Sequence, residues 1–276
     1  MERVNAEAVG KFYDQTSQFF EFMASANIHF GYWPEAQPHL SIKEAQEFLT
    51  GMMIQRAEMR PGQHLLDVGC GLGEPGLRLA KETGCKVTGI TVSRVQVDSA
   101  NKKAAELGLA QRAVFQLADA MQLPFADASF DAVWAFESMH HMPDLEQVLR
   151  EMVRVAMPGG RVIIADVIRR SPMPPEVTTF MRQAMMMQSA VPISDYEKLL
   201  PTLGLELEEV RDISAHTLPM MPKFMETITA KKEELMRVMD ETAFSQIQFG
   251  LDKSGKVFHD YLGYALIVAR KPAAKK

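Results

Sequence analysis

The sequence predicts an α/β fold built on a doubly wound, mostly parallel seven-stranded sheet. Between residues 60 and 168, five apolar strand-like runs alternate with amphipathic helical stretches, which is typical of a sheet covered by helices on both faces. Two further strand-like runs follow near the end of the sequence. The first strand enters a glycine-rich turn, as expected where a chain passes a ligand at the edge of such a sheet.

Residues 1–60 are predicted to form an N-terminal helical segment. The clearest amphipathic stretch is SIKEAQEFLTGMMIQRAEM, residues 41–59. It follows IHFGYW, from Ile28 to Trp33, which is dense in aromatic residues. These aromatic side chains could pack the helices onto the sheet or close over a ligand. We expect this segment to contribute to a lid.

Residues 61–168 are predicted to form the sheet core. Within it, Pro158 to Gly160 should end a helix near Met157 and turn the chain into the last of five parallel strands. The predicted strands are HLLDV, KVTGIT, VFQLA, FDAVWAF and RVIIADVI.

Residues 169–262 are predicted to combine a substrate cap with late elements of the core. The proline-rich stretch RRSPMPPE is predicted to be a linker. The next stretch, ISDYEKLLPTLG, is predicted to be a helix that ends at Gly204, and LELEEVRDIS is predicted to be a strand. A helical stretch from Pro222 to His259 should lie between the last two strands and cover the ligand end of the sheet. Many of the 20 methionines lie here, where they could fill helix cores or line an adaptable apolar pocket.

Residues 263–276 are predicted to form the final strand, GYALIVARK, and a short basic tail. The net charge of −5 argues against nucleic-acid binding, which depends on a basic surface. No apolar run approaches the roughly 20 residues that a membrane span needs, and no signal-peptide core follows Met1. We therefore expect a cytoplasmic protein whose partner is a small molecule, with homo-oligomer formation left open.

The glycine turn lies in HLLDVGCGLG, residues 64–73. Its glycines remove the side chains that would keep a ligand from the backbone, and the next helix directs free N–H groups toward it. A nucleotide-like cofactor is the first hypothesis. The pattern has two registers: Gly71, Gly73 and Gly76 give the G-x-G-x-x-G spacing of dinucleotide-binding enzymes, whereas D-x-G-x-G-x-G begins at Asp67.

Polar residues follow the second strand, but none of them is acidic. Thr91, Ser93, Arg94 and Gln96 occupy the region where an NAD enzyme normally places an acid for the ribose hydroxyls. Arg94 could accept the extra phosphate of NADP, so an NADP-dependent oxidoreductase stays open.

Two adjacent histidines, His140 and His141, follow the fourth strand. A histidine pKa near 6.5 suits proton removal from a hydroxyl, and neighbouring side chains do not normally face one pocket. We expect one catalytic and one structural histidine. A metal is not expected, because no third ligand is near in sequence; Asp166 could supply one only through folding, and could instead orient a histidine.

Three motifs together resemble the class I S-adenosylmethionine (SAM) methyltransferases. The register from Asp67 resembles their motif I, and TVSRVQ resembles a stretch of the cyclopropane-fatty-acid and sarcosine families. DAMQLPFADASFD resembles the series that follows in small-molecule methyltransferases. With HFGYW, FESMHHMPD and PGGRVIIAD, these motifs are similar to natural-product enzymes such as the rebeccamycin sugar O-methyltransferase, from Val9 to Val167 and in the final strand.

This resemblance implies a Rossmann-like methyltransferase fold, with SAM as cofactor and S-adenosylhomocysteine as product. It implies that Gln96 contacts the ribose, that Asp119 binds the adenine amino group, and that the N-terminal segment forms a cofactor lid. The cofactor-binding residues expected on this basis are Tyr13, Tyr32, Trp33, Asp67, Gly69, Cys70, Gly71, Gly73, Thr91, Ser93, Gln96, Asp119, Ala120, Phe136 and His141. The catalytic residues expected are His140, His141, Glu137 and Asp166, with no metal.

The expected activity is methyl transfer to a partly apolar secondary metabolite, with O-methylation and a histidine base first. C-methylation of an activated ring or a prenyl or alkene carbon is the near alternative. An NADP-dependent oxidoreductase and a methyltransferase scaffold used for another purpose are the alternatives from other classes.

Overall fold

A computed structural model of the chain describes residues 5–24, 29–237 and 240–274. Its strands form one seven-stranded sheet in the order β3-β2-β1-β4-β5-β7-β6. The strands are β1 His64–Val68, β2 Lys86–Thr91, β3 Ala113–Leu117, β4 Phe130–Phe136, β5 Ala156–Arg169, β6 Glu206–Asp212 and β7 Leu262–Arg270. The predicted α/β fold with a mostly parallel seven-stranded sheet is confirmed.

Helices cover the sheet and extend beyond it at the N-terminus and between the last strands. The helices are α1 Ala6–Ala24, α2 Ile42–Ala57, α3 Glu74–Thr83, α4 Arg94–Glu106, α5 Leu145–Val155, α6 Pro175–Met185, α7 Ile193–Thr202, α8 Ser214–Thr217, α9 Met220–Ala230, α10 Lys232–Leu235 and α11 Glu241–Tyr261. In the described ranges, no helix is both long and apolar enough to cross a membrane.

The first five strands pair in parallel, and β7 lies antiparallel between β5 and β6. Strand order reverses between β1 and β4, which places a cleft at their carboxyl ends. The strands are apolar on both sides because successive side chains enter different cores: Leu65 packs into one and Leu66 into the other.

Two elements begin earlier than the sequence suggests. Helix α6 starts at Pro175, inside the proline-rich stretch predicted to be a linker, because proline is well tolerated in the first turn of a helix. Strand β5 starts at Ala156, before the Pro158 to Gly160 break. The predicted helical stretch after Pro222 is divided among α9, α10 and α11.

The methionines of the C-terminal region mostly fill the core. Met181, Met187, Met220 and Met221 are buried in one apolar cluster with the helices of the cap. Of the described methionines beyond residue 170, only Met185 lines the ligand cavity. Helix packing therefore accounts for most of this enrichment.

Candidate active site

A cavity lies at the carboxyl ends of β1, β2 and β4, between α1 and the end of α6. It is the site expected for an open α/β sheet, where strand order reverses. Most of the residues predicted from sequence meet there. The predicted residues that line the cavity are Tyr13, Gly69, Cys70, Gly71, Thr91, Gln96, Asp119, Ala120, Phe136, Glu137, His140 and His141.

The glycine turn presents bare backbone to this cavity. Gly69 has φ +78°, and a Cβ there would lie 2.3 Å from Cβ of Ser138. Gly71 has φ +52°, and a Cβ there would meet no atom within 4 Å. Gly69 is thus required by close packing and Gly71 by access to the cavity, as expected of a cofactor turn.

Below this turn, the carboxylate of Asp67 is buried, and its Oδ2 has no hydrogen-bond partner among the residues that the structure describes. Burial raises the pKa of Asp67 to about 7. An unpartnered buried carboxylate oxygen beside a bare glycine turn suits a cofactor that carries an ammonium group. Asp67 does not itself line the cavity, so any contact would pass through the turn.

The residues after β2 link the cavity wall to α1. Gln96 is buried; its Oε1 accepts a hydrogen bond from Thr91 at 2.7 Å, and its Nε2 donates to Ser17 at 3.3 Å. Ser93 is buried as the N-cap of α4 and accepts from the Gln96 N–H. Gln96 thus reaches the cavity, whereas Ser93 is occupied by helix capping.

Asp14 joins α1 to the beginning of α4. Its Oδ1 lies 2.5 Å from Oγ of Ser93 and 3.2 Å from the backbone N of Val95. A carboxylate at a helix N-terminus is stabilised by the free N–H groups and the helix dipole. Asp14 therefore holds α1 over the cavity.

Replacing Asp14 with alanine is expected to speed release of S-adenosylhomocysteine, the product that the sequence resemblance implies, about three- to tenfold, because a capping contact contributes roughly 1 kcal/mol. Stopped-flow displacement would measure the release rate. Asp195→Ala, in the first turn of α7, is a control that should leave release unchanged. Equal release rates in wild type and Asp14→Ala would refute this role.

Asp119 lies at the exposed mouth of the cavity after β3. Its Oδ1 accepts a hydrogen bond from the Met121 N–H at 2.9 Å. This contact orients the carboxylate beside Ala120, which is buried against the sheet. A carboxylate held in this way can accept from an amino group.

His140 forms a dyad with Asp166 of β5. Their Nδ1 and Oδ1 atoms lie 2.6 Å apart, and both residues are buried. Burial alone would lower the pKa of His140, but the negative charge and hydrogen bond of Asp166 outweigh it and raise the pKa above its usual value. In the described residues Nε2 of His140 forms no hydrogen bond, and the residue lines the cavity.

His141 contacts different partners. Its Nδ1 lies 3.2 Å from the Met186 carbonyl oxygen, and its Nε2 lies 2.7 Å from the Tyr13 hydroxyl. Burial, helped by the charge of His140, holds the pKa of His141 well below its usual value. His141 is therefore neutral. Its Nε2 is engaged in a hydrogen bond with the hydroxyl of Tyr13 in α1.

Glu137 adopts a left-handed conformation, φ +55°, directly after β4. Its two carboxylate oxygens accept from the Phe30 N–H at 2.9 and 3.1 Å, and burial raises its pKa to about 7. A non-glycine residue in this conformation costs free energy and is common at functional sites. Through these hydrogen bonds, Glu137 holds the aromatic HFGYW stretch at the wall of the cavity.

Some predicted residues lie outside the cavity. Tyr32 stacks on His216 with ring centroids 4.5 Å apart, and the Trp33 indole N–H donates to the Leu40 carbonyl. The Tyr32 side chain thus packs the N-terminal segment against α8, whereas the Trp33 side-chain contact lies within that segment. The predicted residues that do not line the cavity are Tyr32, Trp33, Asp67, Gly73, Ser93 and Asp166.

His29 and Phe30 also line the cavity, although they were not predicted as site residues from the sequence. His29 stacks on Phe136 with centroids 4.1 Å apart, and its ring nitrogens contact the Phe30 carbonyl and the Thr50 hydroxyl. Burial lowers its pKa to about 4, so it is neutral. In the sequence, the signal for His29 as a cavity residue was its position in an aromatic run beside a glycine.

Within residues 5–24, 29–237 and 240–274, no three His, Cys, Asp or Glu side chains are grouped so that they could hold a metal ion. Nδ1 of His140 and Oδ1 of Asp166 are hydrogen-bonded to each other. The expected absence of a metal stays a prediction.

The fold and the cavity together define a class of enzymes that bind a nucleotide-like cofactor at the carboxyl edge of a doubly wound sheet. Residues 66–164 match the family model described as a methyltransferase domain. The chain is 38% identical to methyltransferase GfsG of Streptomyces halstedii over 96% of this chain and 94% of that protein.

Two further relatives cover almost the whole chain. The 27-O-demethylrifamycin SV methyltransferase of Amycolatopsis mediterranei (strain S699) is 35% identical over 99% of this chain and all of that protein. The crystal structure of the [4+2]-cyclase SpnF has a TM-score of 0.86 and 33% identity over 99% of both chains. The chain belongs to the class I SAM-dependent methyltransferases, and its cofactor is SAM. Family membership decides between the two cofactor classes that the glycine pattern left open.

Proposed function

We propose that this enzyme methylates a hydroxyl group of a partly apolar secondary metabolite, with His140 as general base and Asp166 as its orienting partner. The observation that carries the proposal is the 2.6 Å contact between Nδ1 of His140 and Oδ1 of Asp166, which leaves Nε2 available at the cavity. Relatives named for O-methylation of natural products support the acceptor class.

The contacts of Asp166 favour His140 over His141 as the base. Oδ2 of Asp166 accepts from the N–H groups of Ser138 at 3.0 Å and Met139 at 2.6 Å, so the carboxylate is fixed before reaction. A fixed carboxylate holds the imidazole tautomer and stabilises the imidazolium that forms on proton uptake. His141 lacks such a partner, and Tyr13 already occupies its Nε2.

When bound, SAM supplies a methyl group made electrophilic by a positively charged sulfur. The chain's contribution is to hold the acceptor oxygen in line with that methyl group and to exclude water. The C–O bond would form as the methyl–sulfur bond breaks and S-adenosylhomocysteine leaves, and Nε2 of His140 would take up the hydroxyl proton. Phe12, Met121, Met142 and Met185 line the cavity with apolar surface that suits an apolar acceptor.

The pH dependence should report this base. His140 must be unprotonated to act, and Asp166 raises its pKa above its usual value near 6.5. We expect kcat to fall as pH decreases, with an inflection above 6.5. In Asp166→Asn the inflection should move to lower pH, because the negative charge is lost. A kcat profile that is flat from pH 6 to about 9 in the wild type would contradict the role of His140.

A direct assay would incubate the enzyme with methyl-labelled SAM and a panel of macrolide, terpenoid and glycosylated aromatic alcohols. Transfer of label to an oxygen, located by mass spectrometry and NMR, is the expected result. Transfer to carbon would favour C-methylation, the near alternative. Similarity to the rebeccamycin sugar O-methyltransferase predicts activity on a sugar hydroxyl, which the glycosylated members of the panel test.

A cyclase is the second candidate, favoured by the 33% identity over 99% of both chains with the [4+2]-cyclase SpnF. In that case the scaffold and its cofactor site would serve an isomerisation. A product with unchanged mass and a new ring, formed without consumption of SAM, would identify this activity. A product heavier by one methyl group would identify the methyltransferase.

A further inference from the structure

The turn that carries both histidines, residues 138–141, is held from two sides. On one side lies β5, through Asp166. On the other side lies the segment between α6 and α7, where the N–H groups of Gln188 and Ser189 lie 2.7 and 3.2 Å from the carbonyl oxygen of His140. The cap therefore contacts the turn directly through backbone groups.

Met186 has an unusual backbone in this segment. It ends α6 with φ +50° and ψ +25°, the left-handed conformation. For a residue with a Cβ this conformation costs roughly 1–2 kcal/mol, so the surrounding structure must maintain it. The reversal brings the Met186 carbonyl oxygen to 3.2 Å from Nδ1 of His141.

This contact determines where the proton of His141 lies. A carbonyl oxygen can only accept, so Nδ1 of the neutral ring carries the hydrogen. Nε2 is then a lone pair that accepts from the Tyr13 hydroxyl at 2.7 Å. With the other tautomer, the lone pair of Nδ1 would face the Met186 carbonyl oxygen. The Tyr13 hydroxyl would then have to accept from Nε2–H, and a phenol oxygen is a poorer acceptor than an imidazole nitrogen.

We propose that the left-handed backbone of Met186 is a positioning element that sets the tautomer of His141 and, through Tyr13, holds α1 closed over the cavity. His141 thereby connects the cap, which contributes Met185 to the acceptor side, with the lid that carries Tyr13. Met186 touches no reacting atom and acts through His141. Any effect of Met186 on methyl transfer rests on the proposed function. Its effects on the tautomer of His141 and on the position of α1 do not.

The test compares residues that tolerate the left-handed conformation with one that does not. Met186→Gly and Met186→Asn keep it at low cost, whereas the β-branched side chain of Met186→Val disfavours it. All three variants lose the thioether, so an effect of packing alone would appear in all of them. Glu58→Val is the matched control, since Glu58 ends α2 with φ +49° and ψ +33° outside the cavity.

Two measurements need no acceptor substrate. Imidazole ¹⁵N shifts of histidine-labelled protein, assigned with His141→Gln, report the tautomer, and stopped-flow displacement reports release of S-adenosylhomocysteine. We expect the Nδ1–H tautomer in wild type, Met186→Gly, Met186→Asn and Glu58→Val. Met186→Val should show mixed tautomers and release about fivefold to tenfold faster, equivalent to about 1 kcal/mol.

A wild-type tautomer and release rate in Met186→Val would overturn the proposal, as would equal changes in all three Met186 variants. A change of the His141 signals in Glu58→Val would also overturn it, because loss of stability alone would then suffice. Failure of the proposed function is separate: it would appear as undiminished methyl transfer in His140→Ala, whatever the state of His141.

Discussion

His140→Ala is expected to lower kcat for methyl transfer about 10²- to 10⁴-fold, the usual contribution of a general base. The loss should appear in kcat, because the cofactor contacts predicted around the glycine turn and Asp119 are untouched. Binding of S-adenosylhomocysteine, measured by calorimetry, should stay close to the wild-type value.

Asp166→Asn should lower kcat by a similar factor, since loss of the carboxylate removes the charge that stabilises the imidazolium and weakens control of the tautomer. The double variant should lose little more than either single one, because the two residues act as a unit. His39→Ala is a control on an exposed histidine and should retain full activity. If His140→Ala kept the wild-type kcat, the chain would contribute to catalysis only by aligning the acceptor with the methyl group and by excluding water.

The strands and the glycine turn could be predicted because their signals are local. Apolar runs of five to seven residues between helices define parallel strands, and the spacing of Gly69, Gly71 and Gly73 defines the turn that follows β1. Residues just after a strand reach the ligand edge by topology alone. This is why Gln96, Asp119 and His140 could be placed at the cavity without knowledge of any contact.

Other features depend on contacts between segments distant in sequence. The 2.6 Å pairing of His140 with Asp166 gives the two histidines different surroundings, and no local pattern distinguishes them. Tyr32 and Trp33 were expected to close over the cofactor, but both contact His216, which is distant in sequence: the Tyr32 ring stacks on it and the Trp33 backbone N–H donates to its carbonyl oxygen. The start of α6 was missed because proline-rich composition favours a linker and a first helical turn alike.

The glycine turn yields a prediction in which two neighbouring glycines behave in opposite ways. Gly69→Ala should destabilise the protein by about 2–5 kcal/mol, the sum of a left-handed backbone cost and overpacking. The new Cβ would lie 2.3 Å from Cβ of buried Ser138, whose Oγ donates to the Val68 carbonyl at 2.6 Å and cannot move freely. We expect a Tm lower by roughly 5–15 °C in calorimetry.

Gly71→Ala should change Tm little, because only the backbone cost of about 1 kcal/mol remains and the Cβ meets no atom within 4 Å. The methyl group would instead occupy space beside the cavity. We expect S-adenosylhomocysteine to bind at least tenfold more weakly and the rise in Tm that it gives the wild type to be largely lost.

A second substitution distinguishes the steric clash with Ser138 from the free-energy cost of the left-handed backbone in Gly69→Ala. Adding Ser138→Gly to Gly69→Ala removes the colliding atoms and should restore about 1–3 kcal/mol, the overpacking part alone. The left-handed backbone cost would remain, so Tm should stay below that of Ser138→Gly itself. If Gly69→Ala were as stable as the wild type, close packing would not require glycine at this position. If Gly71→Ala bound S-adenosylhomocysteine normally, the turn would not be the cofactor contact that its geometry indicates.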